Sequence, residues 1–327
     1  MAKYKSKNLL VLDGTLTSVD RNHKTMFSRR EDKKKIAVMA AAVVFALLVL
    51  LIGARGMVSL CITLQEQEII PGAVTEQTIT YTDKDSLTAI VIKTNDDGTV
   101  PEQFVLTRYE PSEDAVYLTA LAPELMMGER TLAGHYAVGG GAQCAAAVSD
   151  YVKTENVYYY TLEFNGVKSL VNEMGGVTIE LPCSINYNAP DSRRSINVAA
   201  GKRVFEGGET ARLFNCPEWP GGVQQRRTIF VQMLAALVNE NLAPSYSDRI
   251  EKIYGRVEPH AKTNVSMDVI QRCYDGLARL ATANAEGNIA LIMDVETYVN
   301  ENGELKCSGD SYENLMMIYG DRGAPQQ

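Results

Sequence analysis

A chain of 327 residues with 46% hydrophobic and 22% charged residues holds enough apolar material for a full core, with room for one domain of about 200–250 residues plus appendages. That excludes a disordered chain and a small disulfide-stapled scaffold. The formal net charge of −8 is uneven: residues 1–35 hold ten Lys/Arg against four Asp/Glu, whereas the chain beyond Arg55 holds 21 against 36.

Taken in order, residues 1–35 predict a cytoplasmic basic tail. They contain no helix-turn-helix or zinc pattern, so they read as a topology signal with affinity for anionic lipid headgroups, and no nucleic-acid partner is expected. Residues 36–54 (IAVMAAAVVFALLVLLIGA) run nineteen positions without a charge, long enough to cross a hydrocarbon core of about 30 Å as one transmembrane helix. Lys33, Lys34 and Lys35 keep the tail inside and put the chain from about residue 56 outside. The expected location is the cell membrane, single-pass, with the N-terminus cytoplasmic and the main domain extracytoplasmic. The run exceeds the apolar region of a usual signal peptide and no A-x-A site follows, which favours an uncleaved anchor. Residues 55–85 read as a stalk. The six cysteines (Cys61, Cys144, Cys183, Cys216, Cys273, Cys307) lie far apart with no C-x-x-C pair. That spacing speaks against zinc and leaves one or two disulfides, or buried small hydrophobes, equally open.

Residues 87–92 (LTAIVI) predict the first strand, and Asn95-Asp96-Asp97-Gly98 a tight turn at its end. Residues 104–109 and 115–121 predict a hairpin. Residues 134–141 (GHYAVGGG) predict a glycine-rich turn leading into a helix over 142–153, a place where backbone N–H groups can meet a phosphate, although no Walker pattern accompanies it. Residues 157–164 predict a buried strand. Asn165 then caps a helix burying Val167, Leu170 and Val171, Gly175-Gly176 stops it, and 177–182 returns as a strand.

A polar loop over 186–197 carries Arg193 and Arg194, and a helix around 209–214 follows. Residues 223–242 predict the longest soluble helix, with Ile229, Phe230, Met233, Leu234, Leu237 and Val238 on one face and Arg226 one turn up the same stripe. Cations in the first turn oppose the macrodipole, so Arg226 and Arg227 require an anion nearby, either a ligand or a carboxylate of the acidic surface. Residues 246–320 predict a C-terminal α/β extension packed on the domain, with a helix over 267–283 capped by Ser266 and a strand over 289–295, and 321–327 a disordered tail. His23, His135 and His260 are isolated, so spacing supplies neither a metal triad nor a Ser-His-Asp arrangement, and His135 reads as structural.

The order strand, helix, Gly-Gly turn, strand in VYYYTLEFNGVKSLVNEMGGVTIELP (157–182), together with FVLTRYEPSEDAVYLTALAPEL (104–125) and GHYAVGGG, resembles the LytR-CpsA-Psr (LCP) family of extracytoplasmic domains. The resemblance runs over residues 87–242. It implies a single three-layer α/β domain with a central mixed sheet over 86–245. The family joins cell-wall glycopolymers such as teichoic acid or capsule to peptidoglycan. By resemblance, the chain takes a polyprenyl-(pyro)phosphate-linked glycan at the membrane, grips the pyrophosphate with arginines and a Mg²⁺ ion held by acidic residues, and transfers the phosphoglycan to a peptidoglycan hydroxyl.

Carried over by position, Asp96 and Glu102 stand as the metal ligands and Arg226 as the catalytic arginine, with Arg226, Arg227, Arg130, Arg193 and Arg194 as the pyrophosphate-binding cations. Other positions depart from the family pattern. Glu124 and Leu125 replace the last two residues of a Pro-Arg-Asp step, and Thr131 replaces a lysine beside Arg130. In the late motif Asp-x-x-Arg-x-x-Arg-Gln, Pro220 and Val223 hold the first two named positions and Arg227 the glutamine. These losses leave a second reading open, a catalytically degenerate relative that binds polyprenyl-linked glycan or an envelope partner as scaffold or regulator. Whether the chain is an enzyme is left undecided by the residues themselves.

Overall fold

The computed structural model describes residues 81, 85–191, 194–243 and 250–321. The basic tail, the apolar run over 36–54, nearly all of the stalk and Arg193 lie outside the described residues. Among the described residues, no helix is long and apolar enough to cross a membrane.

Strand β1 (Leu87–Thr94) is buried along its whole length, as the apolar run Ala89 to Ile92 at its centre demands of a central strand. Period-two alternation sends Ala89 and Val91 to one face and Ile90 and Ile92 to the other. β2 (Pro101–Glu110) and β3 (Ala115–Leu121) continue as antiparallel neighbours. The chain goes on through α1 (Leu132–Val152), β4 (Val157–Leu162), α2 (Phe164–Glu173), β5 (Val177–Leu181), β6 (Gly201–Phe205), α3 (Gly207–Asn215) and α4 (Gly222–Asn241). It closes with α5 (Ile250–Val257), β7 (Ala261–Thr263), α6 (Met267–Arg272), α7 (Tyr274–Glu286), β8 (Ala290–Met293) and α8 (Gly309–Tyr319).

The six-stranded sheet runs β7-β4-β1-β2-β3-β8. It is mixed: β1 pairs parallel with β4 and β3 parallel with β8, while the β1–β2, β2–β3 and β4–β7 ladders are antiparallel. Both edge strands therefore come from the last seventy residues. Helices α2, α3, α4, α6 and α7 cover the face that carries Val91, and α1 and α8 cover the face that carries Ile92. Phe104, Phe230 and Leu234 are fully excluded from solvent, and each such side chain contributes about 1.5–3 kcal/mol by leaving water. All six apolar residues expected on one face of α4 are buried.

Several local expectations are corrected. The glycine-rich segment is part of a helix that starts at Leu132, with Thr131 Oγ1 accepting Gly134 N–H at 3.0 Å as its cap, and it is broken only at Gly139 and Gly140, where Gly140 takes φ +61°. The next glycine is needed for closeness, since a Cβ on Gly141 would lie 2.3 Å from the Tyr159 ring on β4. Asn165 is not a cap: α2 begins one residue earlier, with Glu163 at the N-cap position and no side-chain capping bond. The helix expected over 267–283 breaks at Cys273, whose carbonyl accepts the Tyr109 hydroxyl at 2.7 Å, and Ser266 makes no capping bond. Cys144, Cys183, Cys216, Cys273 and Cys307 are free thiols, four of them buried, which is the small-hydrophobe alternative.

The far end of the sheet is closed by Arg108 on β2. Its guanidinium donates to Glu110 Oε2 and Ser86 Oγ at 2.9 Å and to the carbonyls of Tyr319 and Gly320 at 3.3 and 3.4 Å, so it ties the end of α8 to the strands. Asp321 completes the tie by accepting from Thr154 Oγ1 (2.7 Å) and Glu155 N (2.9 Å).

Candidate functional site

The opposite end of the sheet gathers charge. β1 hands over to β2 through the Asn95–Gly98 turn, in which Asn95 Oδ1 accepts the backbone N–H of Thr99 and of Val100, both at 2.9 Å. This turn presents Asp96, and the first residues of β2 present Glu102. The C-terminal end of α3 comes to meet them. Phe214, Asn215 and the C-cap residue Cys216 each make one link to the site, and the reason is partly electrostatic, because helix C-terminal carbonyls carry partial negative charge and draw in cations.

Lys93 makes the first link. It follows Leu87, Ala89 and Val91 at the two-residue period of the core face and is completely buried. Its Nζ donates to Phe214 O at 3.0 Å and pairs with Glu102 Oε2. Burial pulls its pKa below that of an ordinary lysine, and the Glu102 carboxylate acts against that pull. Arg226, in the first turns of α4, makes the second link by donating from Nη1 to Cys216 O at 3.3 Å, with the same nitrogen 3.9 Å from Glu102 Oε1. Asn215 makes the third, donating from Nδ2 to Asp96 Oδ1, while Arg194 pairs with the other oxygen of Asp96.

Asp96, Arg194 and Asn215 line a cleft of about 410 Å³ together with Tyr187, Pro190 and Pro217. Three cations (Lys93, Arg194, Arg226) thus stand beside two carboxylates (Asp96, Glu102), and a third acidic residue, Asp191, lines the same cleft as Asp96. Polar capacity remains unused: both amide atoms of the buried Gln103, the cross-strand partner of Lys93, and Oδ1 of Asn215 have no hydrogen-bond partner.

Asp96, Glu102, Arg194 and Arg226 are therefore brought together. Arg227 leaves in another direction: its Nη2 lies 3.7 Å from Glu124 and its Nη1 donates to Gln224 at 3.1 Å, beside a separate cleft of about 540 Å³ between α4, β3 and β8. Burial lowers the Arg227 pKa, and its Nε has no partner. Arg130 is exposed on the 126–131 hairpin, outside these ion pairs. His135 is a packing residue, with Nε2 2.9 Å from Met127 O.

At the start of α4, protein carboxylates stand near both arginines, Glu102 at 3.9 Å from Arg226 and Glu124 at 3.7 Å from Arg227. The site residues missed from sequence were Lys93, Asn215 and Gln103. Lys93 carried a signal: a lysine at a core-facing position of a largely apolar strand is uncommon enough to ask for a partner.

The donor set does not fit the divalent ion that the resemblance implied. Mg²⁺ asks for free carboxylate oxygens in near-octahedral array, but Asp96 is committed to Arg194 and Asn215, and Glu102 to Lys93 with Arg226 beside it. Among the described residues, no group of three or more His, Cys, Asp or Glu is placed to hold a metal ion.

A mixed six-stranded sheet covered by helices on both faces, with charged side chains of both signs gathered at one end, defines the class as an α/β domain. The LytR_cpsA_psr family model matches residues 124–315, more than half of the chain, and the protein belongs to that family. The polyisoprenyl-teichoic acid–peptidoglycan teichoic acid transferase TagV of Bacillus subtilis is 22% identical over 178 residues, covering 51% of this chain and 44% of TagV. The transferase of the same description, TagU of Enterococcus faecalis, is 23% identical over 201 residues, 57% of this chain and 63% of TagU. The chain thus spans less than two thirds of either relative.

In three dimensions, the crystal structure of B. subtilis TagV superposes with a TM-score of 0.56 at 14% identity, over 72% of this chain and 96% of that one. A protein of Eubacterium siraeum described as a transcription regulator gives 0.65 at 11% identity, over 77% and 99%. At these identities the superpositions establish the fold.

Proposed function

We propose that the chain is a cell-envelope protein, anchored by the apolar run over 36–54 with its domain outside the membrane, that takes a polyprenyl-pyrophosphate-linked glycopolymer and transfers the phosphoglycan to peptidoglycan. The observation that carries this reading is the gathering of Arg226, Arg194 and Lys93 at one end of the sheet, in a chain of a family whose matched relatives are named as teichoic acid transferases. Phosphoryl transfer needs positioned positive charge more than covalent help from the protein. A peptidoglycan hydroxyl attacks the glycan-side phosphorus, the phosphoanhydride bond breaks, and polyprenyl monophosphate leaves.

The test is a mass-spectrometric time course on the full chain in detergent with polyprenyl-pyrophosphate glycan and peptidoglycan. Release of polyprenyl monophosphate matched by phosphoglycan on peptidoglycan, reduced at least about 100-fold in Arg226→Ala, is the expected result. Internal neutralisation of Glu102 by Lys93 favours a second reading, in which the chain binds the lipid-linked glycan without turning it over, as scaffold or regulator of envelope assembly. Lipid that stays bound and unconverted supports that reading. Failure to bind the lipid at all contradicts both.

A further inference from the structure

The commitment of Glu102 has a chemical consequence. A carboxylate at the mouth of a phosphate site repels its ligand unless a cation neutralises it. Here that cation is covalently part of the chain: Lys93 is completely buried, its Nζ fixed between Glu102 Oε2 and the carbonyl of Phe214 at 3.0 Å. Phe214 is itself held by packing, its ring edge-on to Phe230 at 5.0 Å and stacked on Trp219 at 6.0 Å. The ammonium therefore sits at the end of a strand against a rigid aromatic cluster. Arg226 stands 3.9 Å from the other oxygen of the same carboxylate, and Asp96 is separately neutralised by Arg194.

We propose that Lys93 is a built-in cation at Glu102, occupying the place where a divalent metal would otherwise sit, so that the mouth formed with Arg226 accepts a pyrophosphate group with no metal ion. The pyrophosphate half of this inference rests on the function proposed above, whereas the metal half stands on the geometry alone. A buried ammonium paired with a carboxylate and hydrogen-bonded to a carbonyl cannot be displaced by a hydrated ion without breaking both contacts and leaving Lys93 unpartnered in the core. Removing the lysine side chain frees Glu102 oxygens and opens a volume for an ion and its waters.

Two titrations on the full chain separate these halves. Manganese binding, followed by electron paramagnetic resonance in the absence of phosphate, is expected to be weak and unsaturated for the natural protein. It should become saturable and at least about tenfold tighter in Lys93→Ala, and be lost again in Lys93→Ala combined with Glu102→Gln. Lys93→Met, which removes the charge while keeping apolar bulk, serves the same comparison if the alanine variant does not fold.

A saturable manganese site in the natural protein that Glu102→Gln abolishes, or no gain on removing Lys93, overturns the proposal. In the second titration, inorganic pyrophosphate in EDTA is expected to bind the natural protein and to be lost on Arg226→Ala. Binding only when a divalent ion is restored overturns the metal-free mouth. No pyrophosphate binding under either condition refutes the ligand reading alone, leaving the manganese comparison to decide the role of Lys93.

Discussion

Two buried ion pairs sit on the same antiparallel ladder and do different things. At the far end, Arg108 and Glu110 are 2% and 0% exposed, and the guanidinium spends its donors on a carboxylate, a serine hydroxyl and the carbonyls of Tyr319 and Gly320 at the end of the C-terminal helix. At the near end, Lys93 is 1% exposed but its partner Glu102 is 23% exposed, beside an arginine and two amides with unmet hydrogen-bonding capacity. The first pair is saturated by its own chain and acts as a clasp. The second is closed on the core side and partly exposed on the other, which is what a site needs and a clasp does not.

Breaking the clasp should cost most. Arg108→Met leaves Glu110 buried with the Ser112 hydroxyl but without its cation and releases the end of α8, so a loss of about 3–5 kcal/mol is expected, read as a lower urea midpoint. It should leave any residual folded protein with its ligand mouth intact. Glu102→Gln should cost less, about 1–3 kcal/mol, because the amide oxygen still accepts from Lys93 and the lysine can shed its proton. The same denaturation series checks it, and equal losses for the two variants would erase the distinction. Arg226→Ala should cost about 1 kcal/mol or less in stability while lowering capture of polyprenyl pyrophosphate at least about tenfold by native mass spectrometry, the split expected of a residue that serves ligand more than fold.

The smallest effect concerns thiols far from the mouth. Burial pushes Cys144 and Cys273 up to about 12, so both should resist iodoacetamide at pH 8 while the half-buried Cys183 reacts. Because the folded values lie above the ordinary thiol value, their contribution to stability is intact below about pH 9 and is lost as pH rises towards about 12. Rapid labelling of Cys144 or Cys273 in folded protein would contradict this burial.

The elements that sequence located well are those whose signal is local. β1, β2, β3, β4, the Gly175-Gly176 stop and α4 follow from alternation, turn chemistry and a 3.6-residue stripe. α8 and the edge strand β7 were not foreseen, since the first is fastened through Arg108 across more than 200 residues and the second is a three-residue pairing with β4. At the charged end of the sheet, Asp96, Glu102 and Arg226 were singled out from sequence by position and resemblance, and the structure brings them near one another. The links that join them were not singled out. Phe214 O and Cys216 O are backbone atoms, Asn215 has no distinguishing neighbour in sequence, and the partner of Lys93 lies on the adjacent strand. Arg227 shows the converse: adjacency to Arg226 in sequence suggested a shared ligand, but successive helical residues diverge by about 100°, and its guanidinium goes to Glu124.

The most direct test of the difference between the two ends is hydrogen–deuterium exchange on the full chain with and without polyprenyl pyrophosphate. The account predicts slowed exchange in peptides spanning residues 93–102 and 214–227, with no change around residues 108–110 and 315–321. Unchanged exchange at the first pair of segments, or protection confined to the second, would contradict the assignment of the Lys93–Glu102 end as the ligand mouth.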